Sequence, residues 1–522
     1  MNTTSQQSVF SIARIGLFSA IVGAIVLSLA PIPEWYTSTF QQLYKLTPND
    51  AFLAAKSSFQ ALSILWLVIV LWLTEALPLP ITALLPAIVT PFYSLLQIKQ
   101  GSLQELPTTV VLSNYASSIV FLFLGGFILA QALTRHKVEQ QWASWLLSKK
   151  LFSTSPQRIV LGIMIITAFI SMWVNNTASS AMIIPLAIGI ANSLQKSKHE
   201  NGYVNTENFT TIAILSVAWS ASIGGIGTLV GSAPNGIAVG NLKQATGIII
   251  SFSDWAMYGF PLVLVFLPIS WKLLFWLMPV KNIQLSTISI LGNQEQQQST
   301  SSQKRVVVIF VMTALLWISV PFFKDISLPL LQTILKGFSE WTIPLICSLL
   351  FFVIPEGTSK KEKLLNWNDV QSVDWGTLLL FGGGLALSSI LFQTGTMEVC
   401  TNILISNVGA VYEPVLSLLF GLFVNFATEL TSNIALTSII SPVAISIAKQ
   451  LSLSVEPILI IVAISASFSF MLPIGTPPNA IAYSTGKVPL SVMIKCGFLM
   501  NIISTIVACV WILFVYSLKN VG

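Results

Sequence analysis

The sequence predicts an all-α polytopic membrane protein with 11 transmembrane helices and two re-entrant hairpins. Hydrophobic residues make up 54% of the 522-residue chain and charged residues only 8%, whereas a soluble globular chain carries roughly 25% charged residues. Apolar runs of the length that a bilayer requires, about 20 residues, recur along the chain. Polar, helix-breaking stretches interrupt such runs at matching positions in two halves, and a broken helix is tolerated in lipid only where it is buried in protein or lines a cavity.

The first polar break has the sequence Asn-Asn-Thr around Asn176, in the apolar segment 159–194. The second has the sequence Ser-Asn-Ile around Asn433, in the segment 415–448, and the two asparagines are 257 residues apart (433−176). We interpret each segment as a re-entrant hairpin whose two arms meet at a polar tip. Two full spans would also fit the basic residues that flank the first segment, but its tip has no charged loop, and this favours re-entry.

Each hairpin is followed by an interrupted span. Gly231-Ser-Ala-Pro-Asn235 interrupts a span that begins near Phe209, and Gly475-Thr-Pro-Pro-Asn479 interrupts one that begins near Ile458. Glycine followed by proline does not continue a helix. Breaks at corresponding positions of two halves are the best sequence pointer to the binding site of a transporter.

The other spans are continuous in this interpretation. We predict them at 12–30, 61–76, 81–96, 118–133, 258–277, 306–322, 342–354, 378–392 and 494–516. A polar segment, 34–58, separates the first two, and the basic and aromatic stretch 135–155 predicts an amphipathic helix on the cytoplasmic surface.

An odd number of spans places the N-terminus in the cytoplasm and the C-terminus outside, with the basic loops on the cytoplasmic side. This orientation suits the inner (plasma) membrane of a bacterium. The two five-span units then begin on opposite faces of the membrane, as inverted repeats do.

Several function classes find no support in the sequence. The four cysteines are scattered, no His, Asp and Glu cluster has metal-ligand spacing, and no nucleophile, base and orienting group occur together, so an enzyme is not expected. The basic residues lie in short loops and report topology rather than nucleic-acid binding. An anion channel is a remote alternative, because no continuous polar stripe is present.

The tips carry neutral polar groups. Carbonyl ends of broken helices coordinate a cation such as Na⁺, while helix N-termini and side-chain donors face an anion. Two acids, Glu75 and Glu429, lie in or beside apolar segments and are functional hypotheses by default. Glu75 sits at the end of a span, where it can reach the interface. Glu429 lies beside the second tip, as a candidate participant in cation or proton binding.

These breaks, together with Leu73-Thr-Glu-Ala-Leu-Pro-Leu-Pro80 and Phe381-Gly-Gly-Gly384, resemble the divalent anion/sodium symporter family of dicarboxylate, tricarboxylate and sulfate carriers. The resemblance implies that the substrate contacts Asn176, Thr177, Ser232, Asn433, Thr476 and Pro477. It implies one Na⁺ near Ser171, Asn175, Asn176 and Gly231. It implies a second Na⁺ near Thr428, Thr431, Asn433 and Gly475.

The same resemblance implies a homodimer in which a transport domain moves against a scaffold domain as an elevator. Scaffold helices would occupy 1–135 and 306–400. The interfacial helix, first hairpin and transport helices would occupy 136–280, the second hairpin and its transport helices 401–522, and a cytoplasmic linker 281–305.

Two tip residues depart from the Ser-Asn-Thr pattern of the family. Asn175 replaces a serine, and both offer an oxygen. Ile434 replaces a threonine, so a hydroxyl donor is lost, which is worth roughly 1.5–3 kcal/mol when the acceptor is charged. We therefore expect the substrate to be held mainly by the first tip.

The function expected from the sequence is Na⁺-coupled symport of a divalent anion, a C4-dicarboxylate such as succinate or malate. Na⁺-independent dicarboxylate or anion exchange, and carriage of sulfate or a tricarboxylate, are the alternatives.

Overall fold

Helices make up most of the structure, as the apolar runs of the sequence predict. The computed structural model describes residues 3–99, 101–196, 206–280, 299–323, 337–357, 362–405 and 411–521. Most of the predicted linker, 281–298, lies outside these ranges.

In the first half, α-helices span Thr3–Leu29, Glu34–Tyr44, Pro48–Thr74, Leu79–Thr82, Leu85–Val89, Thr108–Leu112, Ser118–Arg135, Val138–Leu147, Lys150–Ser153, Pro156–Ser171, Asn176–Lys196, Thr206–Gly225, Ala233–Thr246 and Phe252–Leu277. Short 3₁₀ helices span Thr90–Phe92 and Ser113–Ala116. In the second half, α-helices span Ser301–Phe323, Thr342–Val353, Trp367–Gln371, Trp375–Gln393, Thr396–Ile405, Glu413–Ala427, Asn433–Gln450, Val455–Ala466, Pro477–Ser484 and Leu490–Val521.

Within the described ranges, six helices are long and apolar enough to cross a membrane, or up to seven if the bent pair Ala13–Leu29 and Glu34–Tyr44 is one span. The remaining predicted spans correspond to shorter or interrupted helices. The protein is a mostly helical, multi-pass membrane protein, and the count of 11 spans remains a prediction.

The expectation of an all-α fold is wrong at one place, where two short strands form an antiparallel hairpin. Leu96–Lys99 pairs with Ser102–Glu105, with Leu96 opposite Glu105 and Lys99 opposite Ser102. Gly101 has a φ of 75°, the left-handed conformation that glycine adopts without steric cost and that a tight turn needs.

The third predicted span, 81–96, is not one continuous helix. Leu79–Thr82 is followed by Leu85–Val89 and then by the 3₁₀ turn Thr90–Phe92. Pro80, Pro86 and Pro91 each remove a backbone donor and crowd the preceding turn, so the helix restarts at each proline.

The segment 34–58 is largely helical, contrary to the expectation of a polar connection. It contains the helix Glu34–Tyr44, which buries Tyr36 and Phe40. The second span begins at Pro48, 13 residues before the predicted start at Ala61 (61−48). The Thr47 hydroxyl accepts a hydrogen bond from Asp50 N. This N-cap, followed by Pro48 at the first helical position, starts the helix.

The two predicted hairpins each consist of two helices with a short break at the polar tip. In the first hairpin, Pro156–Ser171 and Asn176–Lys196 flank the tip, and in the second, Glu413–Ala427 and Asn433–Gln450 do so. Both interrupted spans are also broken as predicted: Thr206–Gly225 is followed by Ala233–Thr246, and Val455–Ala466 by Pro477–Ser484.

The predicted amphipathic helix 135–155 divides into Val138–Leu147 and Lys150–Ser153. The second half has a counterpart that sequence reasoning missed, Thr396–Ile405. Each follows a residue with positive φ, Lys137 or Gly395, and these two turns lie 258 residues apart (395−137).

The two halves pack reciprocally around the breaks. The second piece of the first interrupted span, Ala233–Thr246, packs on the second arm of the second hairpin and on Val455–Ala466. The second piece of the second interrupted span, Pro477–Ser484, packs on Asn176–Lys196 and Thr206–Gly225. Each half therefore completes the surroundings of the other half's hairpin, and this places both tips and both breaks in one core.

Candidate functional site

The first oxygen cluster forms where the first hairpin tip meets the first interrupted span. Ser171 ends the first arm and is fully buried. Its hydroxyl contacts Asn176 Oδ1 at 2.6 Å and the backbone oxygen of Ala221 at 2.8 Å. A hydroxyl has one proton, so it can donate to only one of these two oxygens at a time.

The amide of Asn176 determines what this cluster can bind. One of its two polar atoms lies within 3.3 Å of Gly231 O, 3.1 Å of Ala221 O and 2.6 Å of Ser171 Oγ. With the nitrogen in that position, the amide donates to these oxygens. With the oxygen there, four oxygens face one another. The protein alone favours the nitrogen, and a cation among the oxygens favours the other orientation, because carbonyl and amide oxygens are the ligands of hard cations.

The second oxygen cluster repeats the first with different residues. Thr428 follows the first arm of the second hairpin and is fully buried. Its hydroxyl contacts Asn433 Oδ1, and it lies 3.0 Å from the backbone oxygen of Ala466. Again one hydroxyl proton is shared between two acceptor oxygens.

The correspondence follows constant sequence intervals. Ser171 and Thr428 are separated by 257 residues (428−171), as are Asn176 and Asn433. Ala221 and Ala466, whose carbonyls complete the two clusters, are separated by 245 (466−221). The two clusters are therefore equivalent parts of the internal repeat, and their oxygens would suit a cation once the Asn176 amide turns its oxygen toward them.

Glycine is required beside each cluster. A Cβ placed at Gly231 would lie 2.7 Å from Gly225 O and 2.9 Å from Met172 O. A Cβ placed at Gly475 would overlap Ser469 Oγ and lie 2.9 Å from Glu429 Oε2. A larger residue at Gly231 would displace backbone of the first break, and one at Gly475 would displace the Ser469 and Glu429 side chains that pack on the second.

An asparagine bridges each break. Asn235 Nδ2 donates to Gly225 O at 3.0 Å and to Thr228 O at 2.9 Å. Asn479 Nδ2 donates to Ser469 O at 2.8 Å and to Leu472 O at 3.1 Å. Both asparagines are fully buried. They satisfy carbonyls that the interrupted helices leave free, and so they fix the shape of both breaks.

The residues predicted to contact the substrate lie on these same elements. Ser232 is buried, and its hydroxyl lies 3.0 Å from the hydroxyl of Ser467, so the two breaks touch directly. Thr476 is buried and caps the helix that follows it, with its hydroxyl accepting from Asn479 N. Thr177 is half-buried, and Pro477 is exposed.

Two predicted cation ligands are placed differently from the rest. Asn175 is exposed, and its Oδ1 accepts from Thr177 N at 2.7 Å, so it caps the second arm instead of facing Ser171. Ser432, at the equivalent position, likewise accepts from Ala435 N. Thr431 is half-buried, beside the cluster but outside the contacts that define it.

The departure at Ile434 has a structural counterpart. Ile434 is half-buried and packs against two clusters of buried hydrophobic residues. One cluster contains Ile445 and the other contains Ala435. The second tip therefore presents an apolar side chain where the first tip presents the Thr177 hydroxyl.

The two acids also differ in position. Glu75 is exposed and has a φ of 48° at the end of Pro48–Thr74, in agreement with an interfacial position. Glu429 is almost fully buried and accepts hydrogen bonds from the second break.

Sequence reasoning missed the carbonyls of Ala221 and Ala466. Backbone oxygens carry no residue-type signal. Position gave a signal for Ala466 alone, because it is the last residue of Val455–Ala466, where carbonyls lose their helical partners; Ala221 lies four residues before the end of Thr206–Gly225 (225−221).

The chain belongs to the sodium:sulfate symporter family, whose transmembrane region matches residues 36–519. It is a protein of a transporter family and not an enzyme. An uncharacterized transporter of Haemophilus influenzae is 35% identical over 454 residues, which cover 85% of this chain and 89% of that protein.

Relatives with stated activities are similar over most of their length. The sodium-dependent dicarboxylate transporter SdcS of Staphylococcus saprophyticus is 33% identical over 450 residues, covering 84% of this chain and 82% of that protein. SdcS of Staphylococcus aureus strain USA300 is 32% identical over 445 residues, with the same coverage of 84% and 82%.

Two solved structures share the fold. MtrF of Neisseria gonorrhoeae superposes with a TM-score of 0.54 at 12% identity, covering 87% of this chain and 96% of that one. YdaH of Alcanivorax borkumensis gives 0.55 at 14% identity, covering 88% and 98%.

Proposed function

We propose that this protein is a secondary active transporter that couples Na⁺ to the uptake of a divalent anion, a C4-dicarboxylate such as succinate or malate. The observation that supports it best is the pair of equivalent oxygen clusters, around Ser171 and Asn176 and around Thr428 and Asn433. Neutral oxygens hold a cation reversibly, as transport requires, and helix ends at broken spans are where such ions bind in transporters.

The anion would lie between the two tips. Helices begin at Asn176, Ala233, Asn433 and Pro477, and helix N-termini carry partial positive charge that favours an anion. None of the tip residues is Lys or Arg, so Na⁺ would supply the charge that balances the anion. The SdcS relatives, named as sodium-dependent dicarboxylate transporters, support the same substrate class.

Transport would move the hairpins and interrupted spans, in 136–280 and 401–522, against a scaffold of 1–135 and 306–400. The working unit would be a homodimer in a bacterial inner membrane, with the N-terminus cytoplasmic and the C-terminus external. These assignments rest on the family resemblance and on the charge distribution of the loops.

A binding screen tests the proposal before any transport is measured. Purified protein would be heated with succinate, malate, citrate, 2-oxoglutarate, sulfate or phosphate, with Na⁺ and with K⁺, because a ligand that binds only the folded state raises the melting temperature. We expect stabilisation by a dicarboxylate that requires Na⁺. Equal stabilisation in K⁺ would favour Na⁺-independent exchange, and stabilisation by sulfate or citrate alone would change the substrate class.

A further inference from the structure

Glu429 lies in the second hairpin tip, directly after Thr428, and is 3% exposed. Its carboxylate receives five hydrogen bonds, each 2.8 Å long. Oε1 accepts from Phe470 N, Met471 N and Asn501 Nδ2. Oε2 accepts from Leu472 N and Ser469 Oγ.

Both oxygens of this side chain accept hydrogen bonds, which is the arrangement that suits a carboxylate. Four of the five donors are N–H groups, which cannot accept in return, and each carboxylate oxygen faces at least two donors. A carboxylic O–H would have only the Ser469 hydroxyl as an acceptor, whereas the carboxylate accepts from all five donors.

Within the described ranges, no Lys, Arg or His forms an ion pair with this carboxylate. The ion pairs within the described ranges involve Arg135, His136 and Lys519, and none includes Glu429. A buried charge held by neutral donors alone still costs free energy in an apolar surrounding. A cation close to Glu429 would lower that cost.

The second oxygen cluster is in the right place to bind that cation. Glu429 follows Thr428, whose hydroxyl contacts Asn433 and the Ala466 carbonyl. On the other side, a Cβ at Gly475 would lie 2.9 Å from Glu429 Oε2. The carboxylate therefore lies against the elements that form this cluster.

The first half has no such charge. The position equivalent to Glu429 is Met172 (429−257). There the Thr228 hydroxyl donates to Met172 O, and it accepts from Gly231 N at 3.1 Å. A neutral hydroxyl organises the first break where a carboxylate organises the second.

We propose that Glu429 is a fixed counter-charge for the second cation site, so that the two cation sites are unequal and the second binds Na⁺ more tightly. This inference rests on the proposed Na⁺ coupling. Glu429 acts through the electric field at the site and through the backbone it holds, and is a positioning residue rather than a cation ligand.

The test is equilibrium binding of radioactive ²²Na⁺ to purified protein without any anion, with Na⁺-induced thermal stabilisation as a second readout. We expect Glu429→Gln to weaken the tighter of the two Na⁺-binding steps. The half-saturating Na⁺ concentration of that step should rise at least tenfold. Asn501→Ala is the matched control, because it removes one hydrogen bond from the carboxylate and leaves the charge. Its half-saturating concentration should stay within about twofold of the wild type.

Equal Na⁺ affinities in the wild type and Glu429→Gln would overturn the inference, and so would equal losses in Glu429→Gln and Asn501→Ala. If Glu429→Gln does not fold, the double variant Glu429→Gln with Asn501→Asp returns a carboxylate across the same 2.8 Å contact. We expect it to recover Na⁺ binding, and folded protein with no recovery would overturn the inference. If the wild type itself binds no Na⁺, the proposed function fails instead.

Discussion

At the scale of single residues, the two asparagines of the hairpin tips are central to the proposed binding site. Asn176 and Asn433 were predicted from the repeated tips, and the structure places each beside a buried hydroxyl that also contacts a backbone carbonyl. The sequence could reveal these side chains because an asparagine in an apolar run is conspicuous. It could not reveal the carbonyls of Ala221 and Ala466, because any residue supplies a carbonyl.

We expect Asn176→Ala and Asn433→Ala each to reduce substrate uptake to below about a tenth of the wild-type rate, since each removes an amide from an oxygen cluster. Uptake into proteoliposomes measures the effect, and size-exclusion chromatography checks that the protein is intact. Asn241→Ala is the control, because this buried amide donates to the Ile237 carbonyl of its own helix and is not part of either oxygen cluster. Normal uptake by both tip variants would refute the site assignment.

Ile434 gives a second residue-scale prediction. Ile434→Thr restores a hydroxyl at the second tip, and a hydrogen bond to a charged group is worth roughly 1.5–3 kcal/mol. We expect the affinity for a C4-dicarboxylate to rise about tenfold, measured as the half-saturating concentration for uptake. Thr177→Val removes the equivalent hydroxyl from the first tip and should lower the affinity for the dicarboxylate. Unchanged affinity in both variants would mean that neither position faces the substrate.

At the scale of elements, the breaks were better predicted than the helices around them. Glycine and proline mark the breaks because their backbone chemistry is explicit in the sequence. Glu34–Tyr44 was missed because polar residues outnumber the apolar ones needed for a span, yet its apolar residues recur at helical spacing and it buries Tyr36 and Phe40. The strand pair near Gly101 was missed because each strand has only four residues, too few for their alternation of apolar and polar residues to stand out.

Gly231→Ala and Gly475→Ala test the breaks as elements. Each added methyl would crowd backbone or side-chain oxygens, and overpacking costs typically 1–3 kcal/mol. We predict lower melting temperatures and loss of Na⁺-dependent uptake. Gly189→Ala is the matched control, since a Cβ there meets nothing within 4 Å and alanine is favoured in a helix by about 0.5–1 kcal/mol. Wild-type behaviour of all three variants would show that the breaks tolerate side chains.

At the scale of the whole molecule, the second helix of each interrupted span packs on the hairpin of the other half. This packing could not be predicted from the sequence. Periodicity identifies each helix, but no local pattern states that Ala233–Thr246 packs on the second hairpin or Pro477–Ser484 on the first. The constant interval of 257 residues between the two tips did predict that the halves are related.

A disulfide between the proposed scaffold and the proposed transport domain tests whether the two move against each other during transport. A Cβ at Gly384, in the proposed scaffold, would lie 3.0 Å from Ser438 Cβ, in the proposed transport domain. We expect Gly384→Cys with Ser438→Cys to block uptake when oxidised and to recover with a reductant. In Gly421→Cys, a Cβ would lie 3.3 Å from the Sγ of native Cys509, inside the proposed transport domain, and 2.8 Å from Thr505 Cγ2. The comparison is therefore between the oxidised and reduced forms of this variant, which should take up substrate at the same rate. Full activity of the oxidised Gly384–Ser438 pair would contradict the elevator.

The central claim is that Na⁺ and a dicarboxylate move together, and the most direct measurement is uptake of radioactive succinate and malate into proteoliposomes. The account predicts concentrative uptake driven by an inward Na⁺ gradient, and little uptake when K⁺ replaces Na⁺. Uptake that is indifferent to Na⁺ and accelerated by dicarboxylate inside the vesicles would contradict symport and identify an exchanger.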